Sequence, residues 1–204
     1  MDVSSTSIKQ VALTQFAREG YEGASLRKIA EEVGIKKPSI YAHYKNKEDL
    51  FLHVVRYVFK LERRRILTFF QEQKNLGSPL ELRLRGLLDW IQEEFESQDA
   101  ARFLMRMSYF PPQALYREVM DIVYPFLDGL ERTLAKFIAS EAWDGKLSQE
   151  EAKNFAIAYM TLIDGVSVEL LYGDSARYQK RLQAAWPIFW QGILYQFEKK
   201  ESTS

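Results

Sequence analysis

The sequence predicts an all-α protein with a small N-terminal domain followed by a larger helical bundle. No strand-like alternation of apolar and polar residues persists, whereas apolar residues recur at helical spacings almost throughout. Caps and breaks divide these stretches into about nine helices. At 204 residues, with 47% hydrophobic and 27% charged residues, the chain is long enough to bury a substantial core and is not a disordered sequence.

The first two predicted helices are short and have clear ends. The first carries an apolar stripe over 8–16 and is expected to stop at Gly20, since glycine accepts the left-handed backbone that ends helices. The second covers 26–33, with Ser25 as its candidate N-cap and Gly34 as its stop signal.

The third and fourth predicted helices differ greatly in length. The third covers 37–44, barely two turns, and is opened by Lys37 and Pro38, since the missing N–H of a proline is harmless in a first turn. The fourth begins after Asn46, a good N-cap residue, and runs to about Lys74.

The middle of the chain is predicted to hold three more helices. Ser78 and Asp99 are the candidate N-caps of the fifth and the sixth, and consecutive prolines at 111–112 force a break after the sixth. The seventh reaches Glu141 and is either kinked or divided in two at Pro125.

The last two predicted helices are apolar on more than one face. The eighth starts with a capping box at Ser148 and ends at Tyr172, and the ninth covers about 178–199. Such faces suit burial against both the domain and a second copy of the chain, so they are consistent with a homodimer, although a monomeric core would look similar.

Composition narrows the function classes. The chain has no cysteine and two histidines, which argues against thiolate chemistry, zinc sites and metal catalysis, and no cofactor is predicted. No apolar run approaches the roughly 20 residues of a membrane-spanning helix and no export signal is evident, so we expect a cytoplasmic protein without membrane contact. Acidic and basic residues balance at 28 each, so a nucleic-acid function must rest on local charge.

The segment from Ser25 to Lys47 has six basic and two acidic residues. Its two short helices, joined by a glycine-containing turn, have the layout of a helix-turn-helix. The small core of this motif is predicted to consist of Ile29, Ala30, Val33, Ile35 and Ile40. The outward side chains that can then donate to phosphates and base edges are Lys36, Lys37, Ser39, Tyr41, His43 and Tyr44.

The residues from Phe16 to Phe51 resemble the N-terminal signature of the TetR family of bacterial regulators, over about the first quarter of the chain. The resemblance rests on Ser25-Leu26-Arg27-Lys28-Ile29-Ala30, on the run from Gly34 to Tyr44, and on the trailing Lys47-Glu48-Asp49-Leu50-Phe51. It implies a helix-turn-helix domain at 1–47, joined by the long helix 46–74 to a ligand-binding and dimerisation domain at 48–204, with dimerisation through the last two helices.

The resemblance also implies roles for single residues. Tyr41 and His43 match positions that touch bases and phosphates in the family. Lys47 matches a phosphate-clamping lysine, and Ser25 a capping hydroxyl that often reaches a phosphate. Ala42 departs from the larger residue often found at its position and offers only a methyl contact.

Because of Ala42, base readout is expected to shift to Lys37 and Ser39. For Tyr41 and Tyr44, packing against the fourth helix is the alternative, and the lysines alone would also fit a solvated charge run. The candidate DNA-binding residues are therefore Ser25, Lys36, Lys37, Ser39, Tyr41, His43, Tyr44 and Lys47.

The region from Ser78 to Leu171 is rich in aromatic residues and methionines, which line apolar ligand pockets and also fill ordinary cores. Because it has no histidine and few basic residues placed to hold a phosphate, we expect a small, largely apolar or aromatic effector. The candidate pocket residues are Trp90, Phe103, Met107, Phe110, Tyr124, Phe155, Tyr159 and Asp164.

The function predicted from these features is a ligand-responsive DNA-binding regulator and not an enzyme. We expect a repressor that a small effector releases from a pseudo-palindromic operator. Two alternatives stay open: a ligand-sensing or scaffolding bundle without operator binding, and an enzyme using Glu93, Glu94 or Asp164. For the enzyme, no two carboxylates have a defined spacing and no nucleophile with an adjacent base is visible.

Overall fold

The computed structural model describes residues 5–141 and 147–201. Within these ranges the chain is all-α, without a strand, which confirms the predicted fold class and the number of helices. The α-helices are α1 Ser5–Gly23, α2 Leu26–Val33, α3 Lys37–Ile40, α4 Lys47–Asn75, α5 Leu80–Ser97, α6 Asp99–Tyr109, α7 Tyr116–Glu141, α8 Gln149–Tyr172 and α9 Ser175–Glu201, and a short 3₁₀ helix, Gln113–Leu115, lies between α6 and α7.

The described residues form two compact units. The first unit combines 1–67 with 94–127, and the second combines 68–93 with 128–204. Helices α4, α5 and α7 therefore each contribute to both. This grouping reflects the packing within each unit. It does not test the predicted domain boundary at residue 47, which stays a prediction.

Three of the predicted helix caps are confirmed. The Ser25 hydroxyl accepts a hydrogen bond from the Arg27 N–H at 3.2 Å, and Asn46 Oδ1 accepts one from the Asp49 N–H at 2.8 Å. The capping box of α8 is complete, because Ser148 Oγ and the Glu151 carboxylate each accept a bond from the other residue's backbone N–H. These caps satisfy N–H groups that a helix leaves without partners.

Two predicted caps are wrong, because α5 begins one residue later, and α6 one residue earlier, than the predicted caps require. The Ser78 hydroxyl donates to Gln73 Oε1 at 3.1 Å, and the first hydrogen bond of α5 runs from Arg83 N–H to Pro79 O. Asp99 lies inside the first turn of α6, where its carboxylate accepts from Arg102 Nη2 at 2.6 Å. The N-cap residue of α6 is Gln98.

Glycine and proline act differently along the chain. Gly20 has φ 72° and ψ 176°, so it breaks α1 as predicted, although one further turn follows it. Pro125 lies inside a single helix, which resolves the choice between a kinked and a divided α7 in favour of one element. Helix α9 begins at Ser175, three residues before the predicted start.

The second unit is held partly by two buried tyrosines. Tyr159 of α8 donates its hydroxyl hydrogen to Leu84 O, and Tyr178 of α9 donates to Leu88 O at 2.7 Å. Burial raises the pKa of both phenols, so they stay neutral donors. Both acceptors lie on α5, one turn apart, so the two bonds fix α8 and α9 on that helix.

Helix α8 is the one described helix long and apolar enough, by length and composition, to cross a membrane. Core helices of water-soluble proteins meet the same criterion. In this fold Phe155, Ala156, Tyr159 and Val166 of α8 are buried within the second unit. Packing therefore accounts for a part of its apolar composition.

Candidate nucleic-acid interface

The helix-turn-helix is fixed by a tight turn at Gly34. This residue has φ 81°, the left-handed conformation that glycine adopts at least cost. The Gly34 N–H bonds to Glu31 O at 3.1 Å, and the Ile35 N–H bonds to Ala30 O at 2.9 Å. Ala30 and Ile40 are buried, so α2 and α3 approach each other closely.

The predicted third helix, 37–44, is regular only over Lys37–Ile40. Beyond it, the N–H groups of Tyr41, Ala42 and His43 bond to the carbonyls three residues earlier, at 2.9–3.3 Å. Such bonds form a more tightly wound turn than the α-helix, in which each N–H bonds to the carbonyl four residues earlier. The segment remains a narrow, rod-like element in spite of the change of winding.

Residues 36–43, which we call the recognition segment, present almost all their side chains to solvent. Every residue of the segment is exposed except Ile40, which anchors it. Tyr41 keeps 49% of its surface accessible. Among the described residues neither Lys36 nor Lys37 has an ion-pair partner, so both charges are available to an external ligand.

The nearby carboxylates are partly engaged by other groups. Glu31 accepts a hydrogen bond from Arg27 Nε at 2.8 Å, and Glu32 accepts one from Gln15 Nε2 at 2.8 Å. Lys28 and Lys45 are exposed on the same motif. The local excess of positive charge that the sequence indicates is therefore at the surface, where it can attract a polyanion.

Lys47, the first residue of α4, is held against the end of α1. Its Nζ donates to Glu22 O at 3.1 Å and lies 4.7 Å from the centroid of the Tyr21 ring. Ser25 is half-buried at the start of α2, where its hydroxyl caps the helix. The predicted phosphate anchors are thus both fixed at helix N-termini.

Tyr44 differs from the other candidates, because only 2% of its surface is exposed. Its hydroxyl donates to Ser5 O at 3.1 Å and lies 2.8 Å from Ser5 Oγ, and its ring packs edge-on against His53 at 5.3 Å. The pKa of Tyr44 is raised by burial. The core alternative therefore describes Tyr44, and we withdraw it from the DNA-contacting candidates.

Four of the candidate pocket residues belong to the first unit. Phe103 and Met107 are buried on α6, whereas Phe110 and Tyr124 are exposed. Phe103 packs edge-on against Phe51 of α4, with ring centroids 5.8 Å apart. Burial thus divides these four into an inner and an outer pair.

The other four belong to the second unit. Phe155 and Tyr159 are buried, and Trp90 is half-buried beside Phe69 at a centroid distance of 5.8 Å. Asp164 lies on an exposed part of α8. The structure does not bring all eight candidates into one unit, and their role in ligand binding stays a prediction.

A buried ion-pair cluster in the first unit escaped the sequence analysis. Arg65 of α4 contacts the carboxylates of Glu62, at 3.1 Å, and of Glu94 on α5. Glu62 is only 4% exposed, and burial raises its pKa in spite of Arg65. The sequence did indicate an inward-facing position for Glu62, because it follows the inward-facing Val58 by four residues, about one helical turn.

Comparison with known proteins supports the resemblance of the N-terminal region. Residues 8–54 match the family model described as bacterial regulatory proteins, tetR family. The negative transcriptional regulator IcaR of the biofilm operon icaADBC of Staphylococcus epidermidis is 48% identical over 40 residues, which is 20% of this chain and 22% of that relative. The match to this relative thus spans less than a quarter of either chain.

Solved structures extend the similarity to the whole fold. FadR from Bacillus subtilis, in complex with stearoyl-CoA, superposes with a TM-score of 0.64 at 16% identity and covers 91% of this chain and 97% of that one. A regulator from Saccharomonospora viridis, in complex with choline, gives 0.67 at 22% identity, covering 88% and 91%. Residues 8–54 thus match the tetR family model, and the chain as a whole shares the fold of these two solved regulators.

Proposed function

We propose that this chain is a ligand-responsive transcriptional repressor that binds a pseudo-palindromic operator as a homodimer in the cytoplasm. The observation that carries the proposal is the recognition segment, residues 36–43, whose side chains are exposed on a helix-turn-helix except for Ile40. Two of these side chains, Lys36 and Lys37, are lysines without an ion-pair partner in the described part of the chain.

Contacts with DNA divide into those that position and those that read. Lys36, Lys47 and Ser25 are suited to phosphates, because a charge or hydroxyl at a helix N-terminus can meet a phosphate without reading its base. Lys37, Ser39, Tyr41 and His43 are exposed on the recognition segment and can donate to base edges in the major groove. Ala42 contributes at most a methyl contact, for example to thymine.

The dimer is proposed to form through α8 and α9. Large apolar side chains on these helices face solvent in the single chain, namely Ile157, Tyr172, Ile188 and Tyr195. Gly165 and Gly192 have open space where a Cβ would stand, so a second helix could approach closely there. Large apolar side chains exposed in this number on two neighbouring helices are typical of protein interfaces. Two-fold symmetry would place two recognition segments about 34 Å apart, in successive major grooves.

The effector is proposed to be a small, largely apolar or aromatic molecule bound in the larger domain. Buried aromatic and sulfur-containing side chains such as Phe103, Met107, Phe155 and Tyr159 support an apolar ligand. The two ligand-bound neighbours hold stearoyl-CoA and choline, so the fold accepts very different molecules. An effector releases the operator only if it binds more tightly to the conformation that does not fit DNA.

Selection of duplexes from a random-sequence pool by the purified chain tests operator binding. Affinity for the recovered duplex should fall linearly with the logarithm of salt concentration, because bound lysines displace counterions. Lys47→Ala should weaken binding across sequences and reduce the salt slope by about one contact. Lys60→Ala is the matched control, since Lys60 is exposed on the same helix about 20 Å further along.

The rival function, a ligand-sensing or scaffolding bundle, predicts that the chain does not bind an operator. Charge reversal of Lys36 and Lys37 should abolish retention of the selected duplex if the chain is a DNA-binding regulator. If no duplex is enriched, or if binding does not depend on salt, the proposal is wrong. A thermal-shift screen of small molecules, followed by displacement of the duplex by each hit, tests the effector, because ligands that bind only the folded state raise its unfolding temperature.

A further inference from the structure

We propose that Tyr21 is a positioning residue for DNA binding, whose ring holds the Lys47 ammonium in place to meet a backbone phosphate. The proposal rests on the proposed function, because it assigns a supporting residue to the phosphate contact of Lys47. It concerns the last turn of α1, outside the helix-turn-helix itself.

The geometry begins with the break at Gly20. This residue has φ 72° and ψ 176°, so the chain leaves the axis of α1 before residues 21–23 form a final turn. Tyr21 and Glu22 thereby come to lie beside the first residue of α4. Lys47 Nζ is 4.7 Å from the Tyr21 ring centroid and 3.1 Å from Glu22 O, so neighbouring residues of one turn supply both contacts.

The ring itself is fixed from behind. Tyr21 packs edge-on against Phe51, with centroids 4.8 Å apart, and stacks near Phe16 at 6.4 Å. Phe16 and Phe51 are fully buried and pack against each other at 4.9 Å. The Tyr21 ring is therefore the outer layer of an aromatic cluster whose inner two rings are fully buried, and it rests against a well-packed surface on the side away from Lys47.

The chemistry of the two contacts leaves the ammonium able to bind DNA. A lysine ammonium has three N–H donors, of which Glu22 O takes one. The ring face attracts the cation through its quadrupole and consumes no phosphate-directed donor. Because a free lysine side chain loses much rotamer entropy on binding, a lysine already held in place binds a phosphate more tightly.

The experiment measures binding of the duplex that the wild-type chain recovers from the random-sequence pool, over a range of salt concentrations. Tyr21→Phe keeps the ring and should bind within about two-fold of wild type. Tyr21→Leu should weaken binding about three- to ten-fold and lower the salt slope toward that of Lys47→Ala. In the Lys47→Ala background, Tyr21→Leu should cause no further loss, because the two residues act through one contact.

Tyr57→Leu is the matched control, since its ring lies 5.4 Å from Lys9 Nζ in a similar contact on the same unit. It should leave duplex binding unchanged. A second readout needs no destabilising variant: NMR of the lysine ε-CH₂ groups should show an upfield ring-current shift for Lys47 in the wild-type and Tyr21→Phe chains. Its absence would overturn the proposed geometry.

The remaining outcomes separate the two proposals. If Tyr21→Leu weakens duplex binding equally in the wild-type and Lys47→Ala backgrounds, and the salt slope does not change, then Tyr21 only packs the core. Wild-type affinity for Tyr21→Leu would contradict the positioning role and leave operator binding intact. A wild-type chain that retains no duplex contradicts operator binding, and the positioning role with it.

Discussion

The N-terminal head, residues 5–54, and the α8–α9 pair differ in the kind of side chain that they leave exposed to solvent. In the head, Phe16 and Phe51 are fully enclosed and the outward side chains of the recognition segment are largely polar or charged. On α8 and α9, large apolar residues such as Ile188 and Tyr195 remain outside. The head buries its aromatic residues together with Phe103 of α6, whereas the α8–α9 pair leaves large apolar side chains exposed, as the proposed dimer requires.

This difference agrees with the two partners proposed above, DNA for the head and a second copy of the chain for α8 and α9. Exposed cations beside a rigid apolar core suit a polyanion, because charge attracts at a distance and the core keeps the donors in place. Exposed aliphatic and aromatic side chains suit another apolar surface, because burial is their main source of free energy. The experiments below test whether the two regions differ as sharply as their surfaces suggest.

The largest effect is expected from Phe51→Ala in the head. The side chain is fully buried among three other aromatic rings, so its loss leaves a cavity and should reduce the free energy of unfolding by about 3–5 kcal/mol. Urea denaturation followed by circular dichroism measures the change. Phe110→Ala, an exposed aromatic control in the same unit, should cost under about 1 kcal/mol. Similar losses for both variants would mean that the head is not closed by its own core.

A smaller effect, on assembly instead of folding, is expected from Ile188→Asp. Ile188 is 76% exposed, and a carboxylate there would be buried without a partner in the proposed dimer. The dimer should weaken by about 2 kcal/mol, or roughly thirty-fold, as measured by sedimentation equilibrium. Leu76→Asp is a control with the same exposed fraction, in the connection between α4 and α5. An unchanged dimer for Ile188→Asp would remove Ile188 from the interface.

Asp99→Asn tests a charged contact of the head with α6. Burial tends to raise the pKa of Asp99, but hydrogen bonds from Arg102 and Thr14 and the charges of Arg102 and Arg18 outweigh it, so the pKa lies below the ordinary 3.8. The ionised carboxylate therefore stabilises the fold above pH 3.8, and this contribution is lost as the pH falls through the folded-state pKa.

The asparagine variant should accordingly lose about 1–2 kcal/mol at neutral pH and match wild type in acid. Urea titrations at several pH values measure the difference between the two chains. A difference that persists unchanged below pH 3.8 would show that shape, and not charge, makes the contact.

The smallest effect is expected from Gly34→Ala. The residue has a positive φ, and a Cβ there would meet nothing within 4 Å, so the cost is backbone strain alone, about 1 kcal/mol. Gly77→Ala is the counterpart in the second unit, with φ +69° and equally open space. Both should shift the urea midpoint similarly, and Gly34→Ala alone should weaken duplex binding. Equal duplex binding by the two variants would show that the turn does not hold the recognition segment.

Local signals explain the parts of the fold that the sequence could predict. Ser25, Asn46 and Ser148 cap helices as expected, because each bonds to a backbone N–H within three residues. Ser78 and Asp99 carried the same signal and failed, because α5 begins one residue later, and α6 one residue earlier, than these caps require. A capping residue in a short window therefore locates a helix start only to within one or two residues.

The candidate site shows the same limit. Exposure of Tyr41 and burial of Tyr44 could not be decided from helical spacing, because the winding changes after Ile40 and Ser5 of α1 accepts the Tyr44 hydroxyl. The support of Lys47 by Tyr21 depends on the break at Gly20, which redirects a turn some 25 residues earlier in the chain. In the larger domain, aromatic residues fill cores and also line ligand pockets. The sequence does not tell which of the two a given residue does, and only its packing can decide.

The division of labour inside residues 36–43 also has an evolutionary consequence. Ile40 within the segment, and Tyr44 after it, are buried and anchor the backbone, while the other side chains of the segment are exposed. Under the proposed function, substitutions at those positions should change operator preference at little cost in stability, so new specificities would need no compensating change elsewhere. Exchange of the segment between related regulators would accordingly have to include these two anchors.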